Sequence, residues 1–193
     1  DLRMSRGLGD VYKRQVKYRL PNGHSEVPRE DADEALRVMR SLAPELHIDP
    51  DKIGVSGTSA GGHLAASVGT LSPQRPSFMI LFYPVISADT DKRHRGSFEQ
   101  LLGKKHCDTP QSQELSLEKK VDVQTPPTLL FHCDDDKVVP AVNSVLFYKQ
   151  LKTYGIKSSL HIYPSGGHGW GMSSCFRYYD DWQKSVLDWL STL

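Results

Sequence analysis

Two stretches of the chain are apolar without a break: Phe78-Met79-Ile80-Leu81-Phe82-Tyr83, and Thr128-Leu129-Leu130-Phe131 leading into His132. Apolar runs this short suit strands buried on both faces, and such strands occur where helices cover both sides of a parallel sheet. The segments around them alternate strand-like and helix-like patterns. Residues 16–20 alternate apolar and polar and stop at Pro21-Asn22-Gly23, which predicts a strand and a turn. After Pro28, tolerated in a first helical turn, Ala32, Ala35, Val38, Met39 and Leu42 form one helical stripe. Residues 53–56 read as a short strand, 61–69 as a small-residue helix and 159–163 as a further strand. Residues 142–154 form an amphipathic helix closed by Gly155. Residues 178–193 form a last helix with Trp182, Val186, Trp189 and Leu190 on its buried side. The fold class is therefore α/β, a mostly parallel sheet flanked by helices. Between the two apolar strands, the polar stretch 89–120 has no strand pattern and is expected to be a lid-like insertion.

A chain of 193 residues with 38% hydrophobic residues can bury one core, so residues 16–193 are expected to form a single domain. Residues 1–15 read differently. They hold four Arg or Lys, show neither strand nor helix period, and are expected to be a non-native or disordered leader. Within them, Asp10-Val11-Tyr12-Lys13-Arg14-Gln15 resembles the translation of a transposon end used as a sequencing adaptor, so the natural sequence is expected to differ upstream of Val16.

Charge and cysteine content exclude several partners. The 24 Lys+Arg nearly balance 23 Asp+Glu, so no basic field calls for nucleic acid and a small or neutral ligand is expected. Cys107, Cys133 and Cys175 have no paired spacing and read as ordinary thiols. Neither they nor the histidines make a metal-ligand rhythm, so no metal or other cofactor is expected. No apolar run approaches the roughly 20 residues of a membrane helix, and no membrane partner is expected.

The chemistry is concentrated at three loops. Gly57-Thr58-Ser59-Ala60-Gly61 fits G-x-S-x-G between a strand and a helix, where a sharp turn pushes a serine hydroxyl out of the sheet. The glycines on either side are expected to avoid Cβ clashes in that turn. Ser59 is thus the candidate nucleophile. The helix that follows aims its N-terminal N–H groups at the site, so the Ala60 N–H is a candidate oxyanion-hole donor. Such hydrolases present an acid and then a histidine on later strand ends. The strand ending at His132 runs into Asp134, Asp135 and Asp136, any of which suits the acid, the others reading as a solvated run. The last strand runs into Gly166-Gly167-His168-Gly169-Trp170-Gly171. A histidine among glycines sits on a side-chain-poor loop, and its ordinary pKa of about 6.5 suits a general base. The remaining histidines read as structural or solvated.

These motifs, together with Tyr18 to His24, His94-Arg95-Gly96-Ser97 and Leu101-Leu102-Gly103, resemble bacterial α/β-hydrolase esterases of the acetylxylan esterase-like family from about Val16 onward. The resemblance puts the acid at Asp136, because the family's strand end reads His-Gly-x-x-Asp-x-x-Val-Pro and His132 to Pro140 fits it, with Cys133 replacing glycine. It implies a serine esterase that removes small acyl groups, typically acetyl, from plant-polysaccharide sugars such as xylan. The family's oxyanion loop and its strand, expected between residues 16–20 and 53–56, have no counterpart here. Residues 16–20 are therefore expected either to pair directly with 53–56 or to leave both edges open. His94 and Trp170 are candidates for shaping the substrate pocket, with loop packing the alternative for each. Two rival functions remain. One is a prolyl-oligopeptidase-type serine peptidase, disfavoured by Thr58 and Ala60 beside the nucleophile; the other is an inactive carbohydrate-binding fragment.

Overall fold

The computed structural model describes residues 3–6 and 12–193. Its centre is a four-stranded parallel sheet in the order β3 (Val55–Thr58), β4 (Met79–Phe82), β5 (Thr128–Cys133) and β6 (Ser158–Tyr163). Ahead of it, in the segment read as a non-native or disordered leader, β1 (Arg3–Arg6) and β2 (Tyr12–Gln15) pair antiparallel as a two-stranded ribbon. The rest of that segment, residues 1–2 and 7–11, lies outside the described residues. The helices are α1 (Val27–Ser41), α2 (Ala43–Leu46), α3 (Ala60–Leu71), α4 (Arg95–Leu102), α5 (Val142–Thr153) and α6 (Tyr179–Leu190).

Alternation along β4 and β5 sorts their side chains between two cores. Ile80, Phe82, Leu129 and Phe131 point to one face and pack with Trp182, Val186 and Trp189 of α6. Met79, Leu81 and Leu130 point to the other and pack with Ala65 and Ala66 of α3 and Phe147 and Leu151 of α5. The unbroken apolar runs are the consequence, since β4 and β5 meet a helix layer on each side. In α1 the buried residues are Pro28, in the first turn, and Leu36, which lies beside the expected stripe.

Residues 16–20 are not a strand. They run along α1, where Arg19 donates to the Asp31 carboxylate from its backbone N (2.7 Å) and from Nη2 (2.7 Å). Of these residues only Tyr18 is partly buried; Val16 and Leu20 are exposed, so the apolar members of the alternation are not buried against α1. They do not pair with β3, whose outer edge has no partner among the described residues.

Stretch 89–120 contains α4 and two 3-10 turns, Pro110–Leu115 and Leu117–Lys120. It is packed down through a third core of Val85, Ala88, Phe98, Cys107 and Val139. A buried polar network adds to this: Asn143 Oδ1 accepts from Ile86 N (3.0 Å) and Ser87 N (2.9 Å), while Glu118 Oε1 accepts from Ser87 (3.1 Å) and Ser116 (2.8 Å) hydroxyls.

Candidate active site

Four loops leave the carboxyl ends of the four parallel strands and meet above the sheet, the position where open α/β sheets bind ligands. The first carries Ser59, between β3 and α3. Its backbone is at φ 53° and ψ −120°, a conformation that L-residues seldom adopt and that marks a tight strand-to-helix turn. The turn is held through the serine's own backbone: Ser59 N donates to Phe82 O (3.0 Å), and Ser59 O accepts from His63 N (3.1 Å) and Val85 N (3.2 Å). Gly57 is required, since a Cβ there would lie 2.1 Å from the Gly61 carbonyl oxygen. The second motif glycine, Gly61, has nothing within 4 Å of an added Cβ, contrary to the expectation of a clash. The close approach falls to the next residue, Gly62, whose added Cβ would lie 2.8 Å from Pro84 Cβ.

The structure brings Ser59, His168 and Asp136 together. Ser59 Oγ is 2.8 Å from His168 Nε2, and His168 Nδ1 is 2.6 Å from Asp136 Oδ2. A carboxylate can only accept, so Nδ1 carries the proton and Nε2 is free to take one from the serine. Asp136 is buried, and its Oδ1 accepts from Val138 N and Val139 N, both at 2.9 Å. Ala60 opens α3, and the first four N–H groups of a helix have no intrahelical acceptor, so its N–H is available beside the hydroxyl.

The three adjacent acids have three different environments. Asp136 meets the imidazole, and Asp134 makes no side-chain hydrogen bond among the described residues. Asp135, expected to be part of a solvated run, instead accepts from Gly166 N (3.2 Å) and Gly167 N (2.8 Å), and these bonds hold its carboxyl below the ordinary value. It therefore fastens the loop that carries His168.

His132 is also more than a strand-end histidine. It is fully buried, with Nε2 2.9 Å from Val139 O and 3.3 Å from Asp136 Oδ2, and Nδ1 2.8 Å from Ser144 Oγ. Two acceptors at Nε2 place its proton there, so this neutral imidazole supports the acid at the same oxygen, Oδ2, that meets His168. Burial lowers its pKa, which keeps it neutral. Its position four residues before Asp136 was the available signal, but spacing alone does not reveal burial.

His94 precedes α4, with Nδ1 2.9 Å from Ser97 Oγ. Its pKa is lowered first by burial and then by the charge of His168, which puts it near the triad. Trp170 is 7% exposed, stacked on Phe176 at 4.1 Å and edge-on to Tyr83 at 5.0 Å, so packing accounts for most of its surface. It also lines, with His168, Ser173 and Arg177, an open cleft of about 440 Å³. Among the described residues no group of three or more His, Cys, Asp or Glu is arranged to hold a metal ion. No described helix is long and apolar enough to cross a membrane.

Comparison with known proteins gives this geometry a lineage. The chain matches the prolyl oligopeptidase family over residues 1–193. It is 38% identical over 183 residues to an acetylxylan esterase of Xylanibacter ruminicola, covering 92% of this chain and 38% of that protein. It is 35% identical over 158 residues to endo-1,4-beta-xylanase B of Butyrivibrio fibrisolvens, covering 74% of this chain and 24% of that one. It thus spans well under half the length of these curated relatives. The crystal structure of an acetyl ester-xyloside bifunctional hydrolase from Caldicellulosiruptor lactoaceticus is similar with a TM-score of 0.83 at 38% identity, over 94% of this chain and 70% of that one. With its parallel sheet, its strained serine turn and a family match along its whole length, the chain belongs to the prolyl oligopeptidase family of α/β-hydrolases.

Proposed function

We propose that the protein is a serine esterase that removes small acyl groups, acetyl above all, from sugars of the xylan type. The observation that carries the reading is the unbroken relay from Ser59 Oγ through the His168 imidazole to buried Asp136, at 2.8 and 2.6 Å. Ser59 Oγ attacks the acyl carbon as His168 Nε2 takes its proton. Asp136 stabilises the imidazolium, and the Ala60 N–H binds the developing oxyanion. His168 then returns the proton to the leaving sugar oxygen. Water, deprotonated in turn by His168, releases the acid from the acyl-enzyme. No atom of this cycle is drawn from a metal or organic cofactor.

Acetyl as the acyl group and xylan as the scaffold are supported by the names of the relatives, an acetylxylan esterase and an acetyl ester-xyloside hydrolase. A peptidase reading draws on the family match alone. The test is release of p-nitrophenol from p-nitrophenyl acetate, and of acetate from acetylated xylo-oligosaccharides, by the wild type and by Ser59→Ala. Ser59-dependent release from both is the expected result. Release of neither, with cleavage of a prolyl p-nitroanilide, would replace the esterase by the peptidase.

A further inference from the structure

We propose that Tyr83 is the positioning residue that sets how His168 approaches Ser59, by tying the loop of the base to the kink that holds the nucleophile. The inference rests on the serine-hydrolase reading of the site but not on the identity of the acyl group or sugar.

The loop carrying His168 has little rigidity of its own. Gly166, Gly167, Gly169 and Gly171 all have positive φ, and few side chains in it can pack. Its position must come from outside, and two fasteners flank the histidine. Before it, Asp135 accepts from the N–H groups of Gly166 and Gly167. After it, the Tyr83 hydroxyl accepts from Gly171 N at 2.8 Å. The Tyr83 ring fills the space between, edge-on to the His168 imidazole at 4.7 Å and to Trp170 at 5.0 Å.

Tyr83 is also part of the nucleophile's mount. It lies directly after β4 at φ 36°, an outlier for a bulky side chain. Such strain persists only where the surroundings over-determine it, and it gathers at functional sites. Here the kink lets Tyr83 N complete the ladder to Phe131 O (2.7 Å) while the chain turns back at once. Phe82 O and Val85 N, on either side, then bind Ser59 N and Ser59 O, and Pro84 closes on Gly62. One residue therefore touches both the base and the frame of the serine. Tyr83 is 2% exposed and does not line the open cleft beside His168, so its surface is taken up by these packing contacts.

Tyr83→Phe keeps the ring and deletes the hydroxyl, which accepts from Gly171 N and also faces the Thr58 side chain beside the nucleophile. A base displaced by about 1 Å loses on the order of 100-fold in rate, so a partial shift is expected to lower the rate of Ser59 labelling by a fluorophosphonate probe about 10-fold. Where p-nitrophenyl acetate is turned over, kcat is expected to fall with KM unchanged. In ¹⁵N-histidine NMR, the His168 Nδ1 proton, held by Asp136, is expected to shift or broaden in the variant. In the wild type, the Gly171 amide is expected to exchange slowly with solvent. Unchanged labelling together with an unchanged His168 resonance would overturn the proposal, as would a Gly171 amide that exchanges at the rate of a free loop, a result that needs no variant. A folded wild type that never labels, while the His168 resonance still moves in Tyr83→Phe, would remove the hydrolase reading and leave the positioning role standing.

Discussion

Replacing Asp136 by asparagine tests the site where its geometry is most constrained. The side chain has no freedom to choose its orientation. Oδ1 faces two backbone donors, Val138 N and Val139 N, at 2.9 Å each, so the amide oxygen of the introduced asparagine must take that position. The amide NH₂ is then placed where Oδ2 was, 2.6 Å from His168 Nδ1 and 3.3 Å from His132 Nε2. Facing a donor, Nδ1 must accept, the imidazole proton moves to Nε2, and Nε2 now donates to Ser59 instead of accepting from it. This wrong tautomer lowers kcat by about 10⁴ in a serine protease of known mechanism, or about 5 kcal/mol of transition-state stabilisation. The assay is Ser59-dependent hydrolysis of p-nitrophenyl acetate by Asp136→Asn, with Asp134→Asn and Asp135→Asn alongside. Asp134→Asn is expected to match the wild type. Asp135→Asn retains an oxygen for the Gly167 N–H and is expected to lose only a few-fold. An Asp136→Asn protein within 10-fold of wild type, or an Asp135→Asn protein that falls further, would refute the assignment of the acid and the tautomer argument with it.

Two further outcomes follow from the same geometry. Gly57→Ala drives a Cβ to 2.1 Å from a backbone oxygen. It is expected to cost about 2–3 kcal/mol, lowering the thermal midpoint by roughly 6–10 °C, and to abolish Ser59 reactivity. Gly61→Ala, with open space at that Cβ in a helix, is expected to be stabilising by about 0.5–1 kcal/mol; equal effects in calorimetry would contradict the structure of the turn. Buried His63, whose Nδ1 faces Val85 O at 3.1 Å, has its pKa lowered by burial to about 4. Its unfolded form binds a proton near the ordinary value, so the stability it contributes is complete above about pH 6.5 and is lost as pH falls towards 4. A thermal midpoint that drops through that window in the wild type, and drops less in His63→Gln, is the expected result; parallel pH curves would exclude His63 as a source of the loss.

The architecture was largely legible in sequence because burial leaves a periodic trace. Phe78 to Tyr83 and Thr128 to His132 are apolar throughout since both faces of β4 and β5 are covered, and the helices read from the pattern appear with ends displaced by up to three residues. Residues 16–20 show where the trace misleads. A two-residue alternation makes a strand only where a sheet edge receives it, and at Val16 to Leu20 both apolar ends stay exposed while the polar Arg19 is the residue that binds α1. The ribbon at residues 3–6 and 12–15 has the opposite cause: backbone pairing needs no apolar pattern, so composition gave no sign of it.

The chemistry divides along the same line. G-x-S-x-G names Ser59, and a histidine among glycines names His168, because local chain geometry restricts which residues can occupy such turns. Local sequence could not separate Asp134, Asp135 and Asp136, since all three offer the same carboxylate. Only the meeting of loops from β5 and β6 made one of them the imidazole's partner, one the fastener of its loop and one a surface acid. Tyr83 had no local mark at all, and His132 had only its spacing from Asp136. For Tyr83 the significance lies in a hydrogen bond to a residue 88 positions away and in a backbone angle set by the sheet. For His132 it lies in a burial that only the packed helices create around the end of β5. Secondary structure and the nucleophile's turn are short-range matters that neighbouring residues dictate; the pairing of acid, base and support is a long-range contact, and it exists only once the strands are in order.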